Sequence, residues 1–98
     1  MSTAIIVRYE TTVDSAAENQ RLVEQVYAEL RAEQPDGLRY MTLRLADGVT
    51  FVHIALRDPA ANPLSQTKAF QEFQAELGQR VTAPPDSSEA SVVGAYGF

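Results

Sequence analysis

The chain predicts an α+β fold: a four-stranded antiparallel sheet in ferredoxin-like βαββαβ order, with two helices on one face, two copies closing into a dimeric α+β barrel. Three observations lead there. Its 98 residues suffice for one compact domain spanning 1–98. Two stretches carry apolar residues at spacings of three and four, the mark of amphipathic helices. They interrupt four runs with strand-like patterning, falling after the first and third and leaving the second and third as a hairpin.

The first strand is residues 3–11, with Ile5, Val7 and Tyr9 on one side and Ile6, Arg8 and Glu10 on the other. Ser15-Ala16-Ala17-Glu18 has the form of a capping box and predicts the start of a helix. Leu22, Val23, Val26, Tyr27 and Leu30 then make its apolar stripe, and Pro35-Asp36-Gly37 ends it near Glu33. Residues 38–46 and 49–57 are strands joined by Asp47-Gly48, a pair suited to a type I′ turn, which needs positive φ at both positions. Asn62-Pro63 predicts the cap and first turn of a second helix, which carries Ala69, Phe70, Phe73, Leu77 and Val81 inward and Arg80 largely outward. Residues 82–88 are rich in breakers and predict a connection; residues 89–98 predict the final strand.

Composition excludes several functions. A formal net charge of -5 offers no basic field to nucleic acid or to an anionic membrane. Zero cysteines remove a thiolate nucleophile, a disulfide scaffold and a cysteine zinc site. A single histidine cannot build the usual multi-histidine metal centre, so no metal is expected. No run of 18 apolar residues and no signal-like N-terminus occurs, and a cytoplasmic protein is expected. A chain of this size without disulfides gains from a subunit interface, so a homodimer is expected.

The hairpin register separates two faces. Counting outward from the turn pairs Leu45 with Thr50, Leu43 with Val52 and Met41 with Ile54, an aliphatic set. It pairs Arg44 with Phe51, Thr42 with His53 and Tyr40 with Ala55, a mixed set. The aliphatic set is the natural partner of the helix stripes, which leaves the mixed set on the open face for a second subunit or a ligand. The register alone does not decide which set meets the helices.

The βαββαβ order, the strand Asp47-Gly48-Val49-Thr50-Phe51-Val52-His53-Ile54, the helix Ala69-Phe70-Gln71-Glu72-Phe73-Gln74-Ala75-Glu76-Leu77 and the ending Ala90-Ser91-Val92-Val93-Gly94-Ala95-Tyr96 resemble the antibiotic-biosynthesis-monooxygenase-like family. The resemblance spans nearly the whole chain and is one of pattern. It implies a dimeric α+β barrel and, as one activity, cofactor-independent oxygenation of polycyclic phenols or quinols. The same fold houses haem-degrading enzymes, isomerases and proteins with no known reaction. Members that degrade haem or form quinones typically use a pocket tryptophan and asparagine, and this chain has no tryptophan, which counts against haem degradation. Many members carry a histidine in the second helix, and here Asn62-Pro63-Leu64-Ser65-Gln66-Thr67 has none. A pocket histidine therefore carries over only onto His53, with Tyr40 and Arg44 as its neighbours across the hairpin.

His53 is the natural general base for a phenolic substrate at neutral pH, with Arg44 to hold an oxyanion and Tyr40 to donate a hydrogen bond. The other reading makes His53 a hydrogen-bonded interface residue, Arg44 the partner of a carboxylate across the dimer, and Tyr40 packing. Phe51, Phe70 and Phe73 are expected to line the pocket. No cofactor is expected. The leading function is a cofactor-independent monooxygenase of a small aromatic; the competing one is a non-catalytic dimeric module, structural or binding a small molecule.

Overall fold

The computed structural model describes residues 3–57 and 63–97. Its sheet has the order β2-β3-β1-β4, built from β1 (Thr3–Glu10), β2 (Leu38–Arg44), β3 (Thr50–Arg57) and β4 (Asp86–Ala90). All three strand pairings are antiparallel. Helix α1 (Ala16–Glu33) follows β1; α2 (Lys68–Ala75) and a short α3 (Leu77–Arg80) follow β3. This is the ferredoxin-like arrangement read from the sequence.

Local chemistry sets the boundaries. The expected capping box does not form. A 3-10 turn over Val13–Ser15 gives Ser15 helical dihedrals, its hydroxyl caps nothing, and the Glu18 carboxylate accepts instead from the Arg21 guanidinium. The helix stops at Gln34, whose left-handed backbone (φ 48°) lets its amide donate to Leu30 O at 2.7 Å. The hairpin register is the expected one, with Thr42 opposite His53 and Arg44 opposite Phe51. Its reversal is not a type I′ turn: Gly48 has φ 80° while Asp47 does not enter the left-handed region. The Asp47 carboxylate instead accepts from the Val49 amide at 3.0 Å and the Thr50 amide at 2.9 Å, which fixes the corner without a second positive φ.

The second helix is interrupted. After a 3-10 turn over Leu64–Gln66, Thr67 caps α2 by accepting from the Phe70 amide, and the Glu29 carboxylate of α1 takes the Lys68 and Ala69 amides at 3.0 and 2.8 Å. Glu76 (φ -118°) breaks the helix, and α3 turns back so that Arg80 O accepts from Thr12 and Val81 bridges Thr11. The expected Asn62 cap lies outside the described residues. The last strand comes earlier than expected: Asp86–Ala90 pairs with β1, Asp86 opposite Arg8, whereas residues 91–97 lie outside the sheet and are exposed.

The helices cover the mixed face, the reverse of the expected assignment. Tyr9, Phe51 and Phe73 are core residues together with Val23 and Val26, and Phe51 stacks on Tyr9 at 5.7 Å between centroids. The physical reason lies in α1, which brings a buried asparagine to this face and so supplies the partner its hydroxyls and imidazole need. The aliphatic alternates Ile6, Met41, Leu43, Val52, Ile54 and Leu56 form the uncovered face, half-buried by one another, with Leu43 at 41% exposure.

Candidate functional site: a cavity beneath the second helix

Between the sheet and α2 lies a cavity of about 330 Å³, near the lower end of the roughly 300–1,000 Å³ of small-molecule sites. Ile5, Val7 and Ala55 make its sheet floor, Phe70, Phe73 and Leu77 its roof, and Tyr9, His53 and Tyr40 its polar wall. Strand alternation brings the polar wall together: Val7 is opposite His53 and Tyr40 opposite Ala55, so these side chains rise from the same face.

The wall belongs to a continuous hydrogen-bonded chain. Arg80 Nε donates to Asn19 Oδ1 at 3.0 Å, Asn19 Nδ2 donates to Tyr9 Oη at 2.8 Å, and Tyr9 Oη lies 2.7 Å from His53 Nε2. On the other side, His53 Nδ1 lies 2.5 Å from Tyr40 Oη and 3.2 Å from Thr42 Oγ1, and Thr42 meets Tyr27 Oη at 2.8 Å. Asn19 is fully buried and Arg80 only 5% exposed. Arg80 also donates to Phe73 O at 2.8 Å and lies over the Phe73 ring, so this buried guanidinium is held by neutral groups.

Donor counting fixes every direction in half of this chain. Arginine only donates, so the asparagine oxygen faces Arg80 and its amide nitrogen faces Tyr9. Tyr9 therefore accepts from Asn19 and sends its own proton to His53 Nε2. A neutral imidazole then carries its hydrogen on Nδ1, directed at Tyr40. Burial keeps the ring neutral by pushing its pKa down to about 4, and it pushes the Tyr9 phenol up to about 12 and the Tyr40 phenol higher still.

Of the residues expected at the site, His53, Tyr40, Phe70 and Phe73 line the cavity. Arg44 does not reach it. Its guanidinium lies over the Phe51 ring at 5.6 Å and donates to Gly48 O and Gln20 Oε1 at the hairpin end. Phe51 is sealed in the core, 1% exposed, with Tyr9 between it and the cavity. Nor is His53 a freely titrating base: both nitrogens are engaged and it is neutral at pH 7. Sequence reasoning missed Tyr9, Asn19 and Arg80. The available signal was Asn19 within the apolar stripe, four residues before Val23 and seven before Val26. Arg80, read as outward, is buried because the break at Glu76 changes its direction.

No protein-family model matches the sequence, and no curated protein matches it. Solved structures do. Rv0793 from Mycobacterium tuberculosis is similar with a TM-score of 0.78 at 20% identity, over 97% of this chain and 98% of that one. A structure described as an antibiotic biosynthesis monooxygenase gives 0.77 at 16% identity, over 94% and 99%. A mutant of SnoaB, described as a cofactor-independent oxygenase from Streptomyces nogalater, gives 0.71 at 19% identity, over 99% and 98%. The chain has the fold of the antibiotic-biosynthesis-monooxygenase-like proteins. Among the described residues no helix is long and apolar enough to cross a membrane.

Proposed function

We propose that the protein is a cofactor-independent monooxygenase that oxidises a small phenol- or quinol-like aromatic in the cavity beneath α2. One observation carries this reading: a mainly apolar chamber, lined also by Ser65 and Gln74, onto which Tyr9, His53 and Tyr40 open as a hydrogen-bonded group, with His53 Nδ1 2.5 Å from Tyr40 Oη. The description of SnoaB as a cofactor-independent oxygenase supports it. An ionised phenol is electron-rich enough to reduce dioxygen itself. The reaction balances without a reductant: a phenol with a free ring C–H plus O2 gives a quinone and water, one oxygen atom entering the ring and the other leaving as water with the ring and hydroxyl hydrogens. All four electrons come from the substrate. Tyr40 would hold the substrate oxygen as charge builds on it, while Val7, Phe70, Phe73 and Leu77 exclude water from the reactive ring.

The test is oxygen uptake with dihydroxynaphthalenes and 1-naphthol. The wild-type protein is expected to consume one O2 per quinone formed, and Tyr40→Phe to lower kcat/KM about tenfold, the equivalent of one hydrogen bond of about 1.4 kcal/mol. Equal rates for both proteins overturn the assignment of Tyr40. A second reading, a non-catalytic binding module on the same fold, is favoured by one observation: among the described residues no buried polar side-chain atom lacks a partner in the free protein. Naphthol binding without oxygen uptake selects it.

The reading includes a second copy of the chain covering the open aliphatic face. Ile6, Met41, Val52 and Ile54 make an uncovered apolar surface at the centre of the sheet, the kind that marks an interface. Ile54→Glu is expected to convert a dimer into a monomer by light scattering at micromolar concentration, with the far-ultraviolet spectrum preserved. A wild-type protein already monomeric there refutes the pairing.

A further inference from the structure

We propose that Arg80, Asn19 and Tyr9 form a positioning relay that makes the polar wall of the cavity a one-way donor, so that the site takes its aromatic ligand as the oxyanion in preference to the neutral hydroxyl form. The proposal rests on the reading above that the cavity holds a phenol-like molecule, and it adds the ionisation state of that molecule and three residues outside the reacting centre.

A buried guanidinium starts the chain, and each successive group passes a hydrogen forward: Arg80 to Asn19, Asn19 to Tyr9, Tyr9 to His53 Nε2, His53 Nδ1–H to Tyr40. All of these dipoles point the same way, with a positive charge at the rear, so they polarise one another in a low-dielectric interior. The hydrogen of Tyr40 is then left for Thr42, with which it is hydrogen-bonded, or for a molecule in the cavity that its ring also lines. A ligand oxygen meeting this end finds a donor and no carboxylate.

The charges around the site agree in sign. Among the described residues no carboxylate lines the cavity. The acidic groups whose field reaches Arg80, Glu18 and Glu76, make no ion pair with it, and Glu18 is engaged with Arg21. The guanidinium has no carboxylate partner among the described residues, so its desolvation is offset by the Asn19 oxygen, the Phe73 carbonyl and the Phe73 ring, and its charge stays unneutralised at the rear of the relay.

Two measurements test this. The first needs no ligand: 15N NMR of the sole histidine is expected to show the hydrogen on Nδ1 in the wild-type protein, and Nε2–H overturns the relay. Asn19→Asp is the decisive variant, because a carboxylate accepts from both Arg80 and Tyr9. Tyr9 then no longer donates to Nε2, and the imidazole hydrogen is expected to move from Nδ1 to Nε2, where it faces Tyr9. An unchanged tautomer in this folded variant also overturns the relay.

The second uses 4-nitro-1-naphthol, whose anion is seen by its visible absorption. Bound to wild-type protein its pKa is expected to fall by at least one unit, that is, at least tenfold tighter binding of the anion than of the neutral form. The fall is expected to vanish in Asn19→Asp and to survive in Arg80→Lys, which a merely structural role for the relay would not produce. Binding with an unshifted or raised pKa overturns the anion preference and leaves the proposed function standing. No binding at all overturns both.

Discussion

Phe73→Ala is expected to remove about 3–5 kcal/mol of stability, read as a lowered midpoint in urea. Against the roughly 5–15 kcal/mol typical of a domain this size, that is a large fraction. Phe73 is 3% exposed and packs against four side chains. Its ring centroid lies 5.4 Å from that of His53, 6.4 Å from Tyr9 and 6.0 Å from Phe70, and the Arg80 guanidinium sits 5.1 Å away over its face. Truncation leaves a hole continuous with the ligand cavity and strips the buried cation of its aromatic support. Phe73→Leu, which keeps most of the volume, is expected to cost much less. A loss below about 1 kcal/mol for the alanine variant would show that α2 collapses onto the sheet and that the cavity is not held open by the packing described.

Acidification supplies the second large effect. His53 has its folded pKa pushed down to about 4 by burial, below the ordinary 6.5. Above pH 6.5 neither folded nor unfolded chain binds this proton, and the group contributes nothing. As the pH falls below 6.5 the unfolded imidazole protonates while the folded one does not, so unfolding gains about 1.4 kcal/mol per pH unit until the folded ring also protonates near pH 4. Stability should therefore fall by about 3 kcal/mol between pH 6.5 and 4. The carboxylates held low, Glu18 by Arg21 and Asp47 by the Thr50 hydroxyl and the Thr50 and Val49 amides, keep their contribution down to their ordinary 4.5 and 3.8 and lose it only below, as the pH falls through the depressed folded values. The upper part of the window belongs to the histidine. Since the chain has one histidine, its ring proton resonance reports the titration directly. A midpoint near 6.5 with flat stability would contradict the buried, doubly bonded ring.

How far the sequence could be read follows from which signals were redundant. Element order and hairpin register were legible because turn chemistry and alternation agreed: Asp47-Gly48 placed the corner and fixed Thr42 against His53. The choice of sheet face was not, because both alternations of β3 are apolar, Val52 and Ile54 on one side and Phe51 and Ala55 on the other. Hydrophobicity could not separate them; the buried amide of Asn19 did, and its value depends on a partner 61 positions away. His53 and Tyr40 were legible as neighbours across the hairpin, and Phe70 and Phe73 as one helix stripe, but the two pairs meet at one cavity only because the helices cover the face expected to be open. Arg44 shares their parity but sits at the strand end, where the corner carbonyl of Gly48 and the side chain of Gln20 claim it. Parity assigns a face and says nothing of distance along it.

The same ambiguity gives the buried polar chain a task during folding. With two greasy alternations on one strand, a slip of β3 by a single residue would still bury Val52 and Ile54, and oiliness alone would barely object. It would also carry the imidazole out to water and leave the Tyr9 hydroxyl without the acceptor of its hydrogen, at about 1–3 kcal/mol for that orphaned group, while Arg80 and Asn19 keep their bonds. The polar groups act as a key cut for one alignment, and misthreaded copies of this small sheet fail to turn it.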